Sequence, residues 1–154
     1  MMQAAIGIDV GGTKMAGGIV DAAGEILYSR TVATPLHFDE LERELLELAG
    51  HLLDAATGKG AEGLDLVPLE IVGIGVAVPG TVEREQGVAI GACNLPWQDF
   101  AITKLLEDRF AIATRVENDA DAAALGALRY APEARGLRNF VFMTIGTGIG
   151  GGII

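Results

Sequence analysis

Cysteine is almost missing from this chain: Cys93 is the only one in 154 residues. A lone thiol cannot close an internal disulfide, so a reducing compartment is expected. Basic residues are also scarce, with 11 Lys and Arg against 21 Asp and Glu and a formal net charge of −10. That balance argues against a nucleic-acid partner held through phosphate contacts. No apolar run is long enough to span a bilayer, and residues 1–5 carry no basic segment of a secretory leader. The expected location is the cytoplasm, with no membrane partner. His37 and His51 have no companions at metal-ligand spacing, and Cys93 reads as a small buried filler.

Glycine, by contrast, is abundant: 22 residues, about double the usual ~7% share. Many sit in two runs with the same chemistry. In the first, an apolar strand over residues 4–10 carries Asp9 near its end and turns through Gly11, Gly12, Thr13 and Lys14. Glycines let backbone N–H groups close around a phosphate, while Thr13 and Lys14 add a hydroxyl and a positive charge. Asp9 is placed to hold a hydrated Mg²⁺. A plain turn between two strands explains the same residues. The second run follows an apolar strand at 141–145: Gly146, Thr147, Gly148, Ile149, Gly150, Gly151 and Gly152, returning through Ile153 and Ile154. Neither run is a P-loop or a dinucleotide fingerprint, because each leads into another strand and opens no helix. Two strand–turn–strand loops suggest a nucleotide held between two lobes.

Half of the residues are hydrophobic, enough for one domain or slightly more. Strands are expected at 4–10, 15–20 and 25–33, the latter two joined by a hairpin turn at 21–24. Asp39 is expected to cap a helix to about residue 56, with Leu41, Leu45, Leu48 and Leu52 on one face and its glutamates in solvent. A loop covers 57–68. The unbroken β-branched run 70–78 reads as a central strand buried on both faces, stopped by Pro79 and Gly80. A charged-tip hairpin at 82–90, a helix at 102–110, a strand at 113–117 and an alanine-rich helix at 120–130 follow. The fold class is mixed α/β. The last strand has no partner, and an open edge there suggests a chain cut short.

Glu117, Asn118 and Asp119 end a strand and open a helix, where α/β proteins place ligand-facing side chains. Two readings of Asp119 stand side by side. It is an acidic helix cap, or it is a general base that takes a proton from a substrate hydroxyl, with Asn118 bonding neighbouring hydroxyls. Asn94 beside Leu95, Pro96 and Trp97 suits polyol recognition, and equally a loop pinned by a buried aromatic.

These segments, taken in order, resemble the ROK family of bacterial sugar kinases and sugar-responsive repressors. They are Asp9 to Lys14, Pro79-Gly80, Asn94 to Trp97, Glu117 to Ala120 and Thr147 to Gly152, spread over essentially the whole chain. The resemblance implies a ribonuclease H-like lobe of the actin/hexokinase/sugar kinase superfamily over residues 1–118, with a second lobe starting at 119–154. It implies ATP and Mg²⁺ as cofactors. Asp9, Gly11, Gly12, Thr13 and Lys14 would meet the phosphates from one side, and Gly146, Thr147, Gly148 and Gly150 from the other. Asp9 would reach Mg²⁺ through water. Asp119 matches the catalytic base, and Gly80, Asn94, Asn118 and Asp119 match the sugar contacts. Two positions depart from the pattern: Asp121 stands where the family often has Asn, and Ala127 where it usually has Glu. The family's zinc site needs several cysteines and cannot be built with one.

The implied activity is phosphoryl transfer from ATP to a hexose hydroxyl, with glucose favoured and polyphosphate left open as a donor. A homo-oligomer is expected at full length. A ROK repressor is the alternative from another class, weakened by the acidic charge and by a first loop that starts within ten residues of Met1. A further alternative is a catalytically inactive piece of a kinase, since family members are roughly twice as long.

Overall fold

The computed structural model describes residues 1–59, 69–145 and 149–154. Strand β1 (Met2–Val10) pairs antiparallel with β2 (Lys14–Asp21), which pairs antiparallel with β3 (Ile26–Ala33). Helix α1 (Phe38–Ala56) then crosses to β4 (Leu69–Val78), which lies parallel to β1. A small antiparallel sheet of β5 (Thr81–Glu83), β6 (Val88–Gly91) and β7 (Gln98–Phe100) precedes α2 (Ile102–Phe110). Strand β8 (Thr114–Asn118) returns parallel to β4, giving the five-stranded order β3-β2-β1-β4-β8. Helix α3 (Asp119–Tyr130), a 3₁₀ turn at Pro132–Ala134 and the hairpin β9 (Val141–Ile145) and β10 (Ile149–Ile153) complete the chain. The expected loop at 57–68 lies outside the described residues from residue 60 onward.

One face of the main sheet carries the core. Ile6, Ile8 and Val10 alternate inward on β1, as do Met15 and Ile19 on β2 and Ile74, Val76 and Val78 on β4. Leu41, Leu45, Leu48 and Leu52 of α1 cover them, and Ile102 and Leu106 of α2 extend the same cluster. Period-2 strands meeting a period-3.6 helix face is the pattern their sequences specify. Gly17 lets α1 come close: a Cβ there would stand 2.6 Å from Leu52 Cδ1 and 3.3 Å from Leu48 Cγ.

The opposite face differs from expectation. Strand β4 is not buried on both sides: Val72 is 52% exposed and Gly75 is open. Gly7, Gly18, Gly75, Ala77 and Ala122 instead line an open groove of about 490 Å³, with α3 across one end. Helix α3 runs from the β8 terminus to the β2–β3 turn, where the Tyr130 ring lies on Gly24. Cys93 is exposed rather than a buried filler, and two helix starts also differ from expectation. Helix α1 begins at Phe38 with His37 as N-cap and no side-chain cap, so Asp39 sits in the first turn, favourable to the helix dipole but not capping. Packing explains the shift, since Phe38 meets Phe100 edge-on with ring centroids 5.0 Å apart. At α3 the cap is Asn118 rather than Asp119.

Candidate functional site

The first glycine turn is pinned from the neighbouring strand. Gly11 N–H donates to the Lys14 carbonyl at 2.9 Å, and Thr34 N–H donates to the Thr13 carbonyl at 3.0 Å. The buried Thr34 hydroxyl donates to the Gly11 carbonyl at 2.7 Å. A side chain at Gly12 would displace the Asn94 amide, whose Cγ lies 3.0 Å from a Cβ built there. A candidate phosphate-contact segment and a candidate sugar-contact residue are therefore in contact.

Asp9 points to the open face of the sheet, into a recess of about 390 Å³ shared with Ala77, Asp119, Ala120, Ala123 and Thr144. Its surface is partly open to solvent, yet the surrounding protein removes enough water to raise its pKa above the ordinary carboxylate range. The negative charge of Asp119 raises it further, and Lys14 opposes both. Asp119 and Lys14, from two other segments, thus both act on Asp9. The two like charges with a single opposing cation form an electrostatic setting that a hydrated divalent ion relieves. Among the described residues there is no group of three His, Cys, Asp or Glu that could hold a metal ion by itself.

At the start of α3 the Asn118 side-chain oxygen accepts from Ala120 N–H at 2.9 Å and Asp121 N–H at 3.2 Å. Its Nδ2 donates to the Gly80 carbonyl at 3.0 Å. Asn118 thus caps the helix, ties it to the β4–β5 turn and keeps a second amide hydrogen for a ligand. Asp119, exposed at the first helical position, accepts from Ala120 N–H through Oδ1 at 2.8 Å. Gly80 turns the chain with φ of +84°, a left-handed conformation that glycine adopts without cost.

The second glycine run is seen in part. Gly146, Thr147 and Gly148 lie outside the described residues. Gly150 stands in β10 opposite Thr144, on the side facing α3. Gly152 shares that side: a Cβ there would sit 2.6 Å from Ala124 Cβ and 2.9 Å from the Ala120 carbonyl. Close packing of the hairpin on α3 therefore accounts for these two glycines, apart from any phosphate contact. Three residues were not anticipated from sequence: Thr34 beneath the first turn, Thr144 in the recess, and Arg84, which pairs with Glu117 and Asp121. Thr144 alone had a legible signal, because alternation along β9 puts it with Phe142, opposite Val141, Met143 and Ile145.

Residues 5–154 match the ROK family. A glucokinase of Streptomyces coelicolor is 36% identical over 99% of this chain and 44% of its own length. A putative xylose repressor of a Caldicellulosiruptor strain is 32% identical over 97% of this chain and 36% of its own length. The crystal structure of a ROK family glucokinase from Streptomyces griseus in complex with glucose and AMPPNP superposes with a TM-score of 0.81 at 31% identity, over 98% of this chain and 44% of that one. The mixed α/β architecture agrees with the lobe expected from sequence, and the chain spans less than half the length of these relatives.

Proposed function

The chain belongs to the ROK family, and from that premise we propose that it serves an ATP-dependent hexose kinase in the cytoplasm, with glucose as the favoured acceptor. The supporting observation is that Asp9 and Asp119 share one recess, with the Lys14 charge acting on Asp9 from the end of the Gly11–Gly12 turn. In this reading Asp119 takes the proton from a sugar hydroxyl as that oxygen bonds to the γ-phosphorus of ATP. The bond from that phosphorus to the bridging oxygen breaks in line, and ADP departs. Lys14 and the backbone of the first turn hold phosphate oxygens, while Asn94, Asn118 and Gly80 orient the sugar. Mg²⁺, held through water at Asp9, supplies charge neutralisation on the phosphates when bound. In the same reading, residues 119–154 begin the second lobe.

The test is Asp119→Asn with a glucose 6-phosphate-coupled assay and glucose titration calorimetry. Turnover is expected to fall by about 10²–10⁴-fold while glucose affinity stays within a few-fold. Undiminished turnover in the variant refutes the base assignment. The similarity to a xylose repressor supports a second reading, a sugar-responsive regulator. Sugar binding by the wild-type protein with no phosphoryl transfer to any hexose would favour it.

A further inference from the structure

The β8–α3 junction carries Glu117, Asp119 and Asp121 within five residues, and a single cation from elsewhere addresses two of them. Arg84 lies in the turn between β5 and β6. Its Nε donates to the Glu117 carboxylate at 2.7 and 2.8 Å, and its Nη2 donates to Asp121 Oδ2 at 2.6 Å. It therefore grips the residue two before Asp119 and the residue two after it, and leaves Asp119 itself untouched. The same small sheet is tied to the same junction at its base, where Asn118 donates to the Gly80 carbonyl. Two attachment points, one at each end of the short strand β5, fix the orientation of one unit relative to the other. This small sheet leads directly into Asn94, whose amide fills the space above Gly12.

We propose that Arg84 is a positioning residue: by holding Glu117 and Asp121 together it sets where Asp119 stands relative to the hairpin that carries the sugar-binding loop. The inference rests on the kinase reading for its catalytic consequence, but its structural part is independent. A planar guanidinium reaches two carboxylates in a fixed geometry, which an ammonium cannot reproduce. Arg84 is 61% exposed, so its removal leaves no hole in the core, and exposed ion pairs contribute little to global stability.

The experiment compares the wild type with Arg84→Met and Arg84→Lys. Hydrogen exchange at the amides of residues 119–123 is expected to quicken by about tenfold in Arg84→Met, with α1 unchanged and the melting temperature nearly constant. Arg84→Lys restores part of that protection. In the coupled assay, kcat is expected to fall about tenfold and the KM for the hexose to rise, while the KM for ATP stays within twofold. Unchanged exchange at residues 119–123 in Arg84→Met overturns the proposal, as does equal loss of protection in α1 and α3. A protein that carries this lobe within the whole length of its relatives and phosphorylates no hexose refutes the kinase reading, and the exchange measurement still decides the clamp.

Discussion

Gly80→Ala is the sharpest single test of how the site is built. With φ of +84° at this position, an alanine is forced into the left-handed region, at a cost of about 1–2 kcal/mol. Its Cβ would also overlap the Gly91 carbonyl oxygen, with the carbonyl carbon 3.0 Å and Ala92 Cα 3.1 Å away. All three are backbone atoms of β6 and the residue after it, so no side-chain rotation relieves the contact. Overpacking of this kind costs about 1–3 kcal/mol. The sum is about 2–5 kcal/mol, a large part of the ~5–15 kcal/mol by which such chains are stable. For a chain of this size, the melting temperature should drop by roughly 4–20 °C. Thermal unfolding followed by circular dichroism measures it, with Gly7→Ala as the control. Gly7 has nothing within 4 Å of an added Cβ, so that variant should melt near the wild type or slightly above it. A Gly80→Ala protein that melts within a degree of the wild type refutes the overlap. A Gly7→Ala loss of equal size shows instead that any added methyl harms the sheet.

Thr34→Val removes the hydroxyl that donates to the Gly11 carbonyl while keeping the side-chain volume. It should cost about 1–3 kcal/mol and weaken Mg-ATP binding several-fold by calorimetry; unaltered affinity would show that the turn holds its shape unaided. Asp9→Asn should be more stable than the wild type at neutral pH, because burial and Asp119 raise the Asp9 pKa and so disfavour its charged form in the folded chain. That destabilisation is complete above the raised pKa and is relieved as pH falls through it. The melting-temperature gap between variant and wild type should therefore be widest near pH 7 and close in acid. The same variant should lose the stabilisation that added Mg²⁺ gives the wild type, and an identical response to Mg²⁺ would remove Asp9 from the ion's surroundings.

What was legible in the sequence was what local period encodes. The leucine spacing of α1 and the alternation in β1 led directly to the observed core, since Leu41, Leu45, Leu48 and Leu52 all belong to one buried cluster with Ile6 and Ile8. The unbroken apolar run of β4 identified a central strand but overstated its burial. Burial of a second face depends on what lies across it, and a strand's own residues do not specify that. Strand β7 was missed because its three residues carry no alternation; Phe100 is held there by Trp97 and Phe38. The pairing of Arg84 with Glu117 and Asp121 spans a long stretch of chain and leaves no periodic trace. For the site, the meeting of Asp9 with Asp119 was implied by the resemblance alone, and no spacing rule could have derived it.

The cap at α3 shows how a one-residue ambiguity bears on chemistry. Asn118 and Asp119 are both good N-cap residues, and sequence does not choose between them. Had Asp119 taken the cap, its carboxylate would have been spent on the helix N–H groups. Asn118 takes that role with a neutral amide, anchoring the helix to Gly80 in the same contact. Asp119 then starts the helix with one oxygen on the Ala120 amide. Among the described residues its other oxygen accepts no hydrogen bond, as a proton acceptor for a substrate requires. Under the proposed reading, the structural role and the chemical role thus fall to adjacent residues, with the neutral residue doing the holding and the charged one left available.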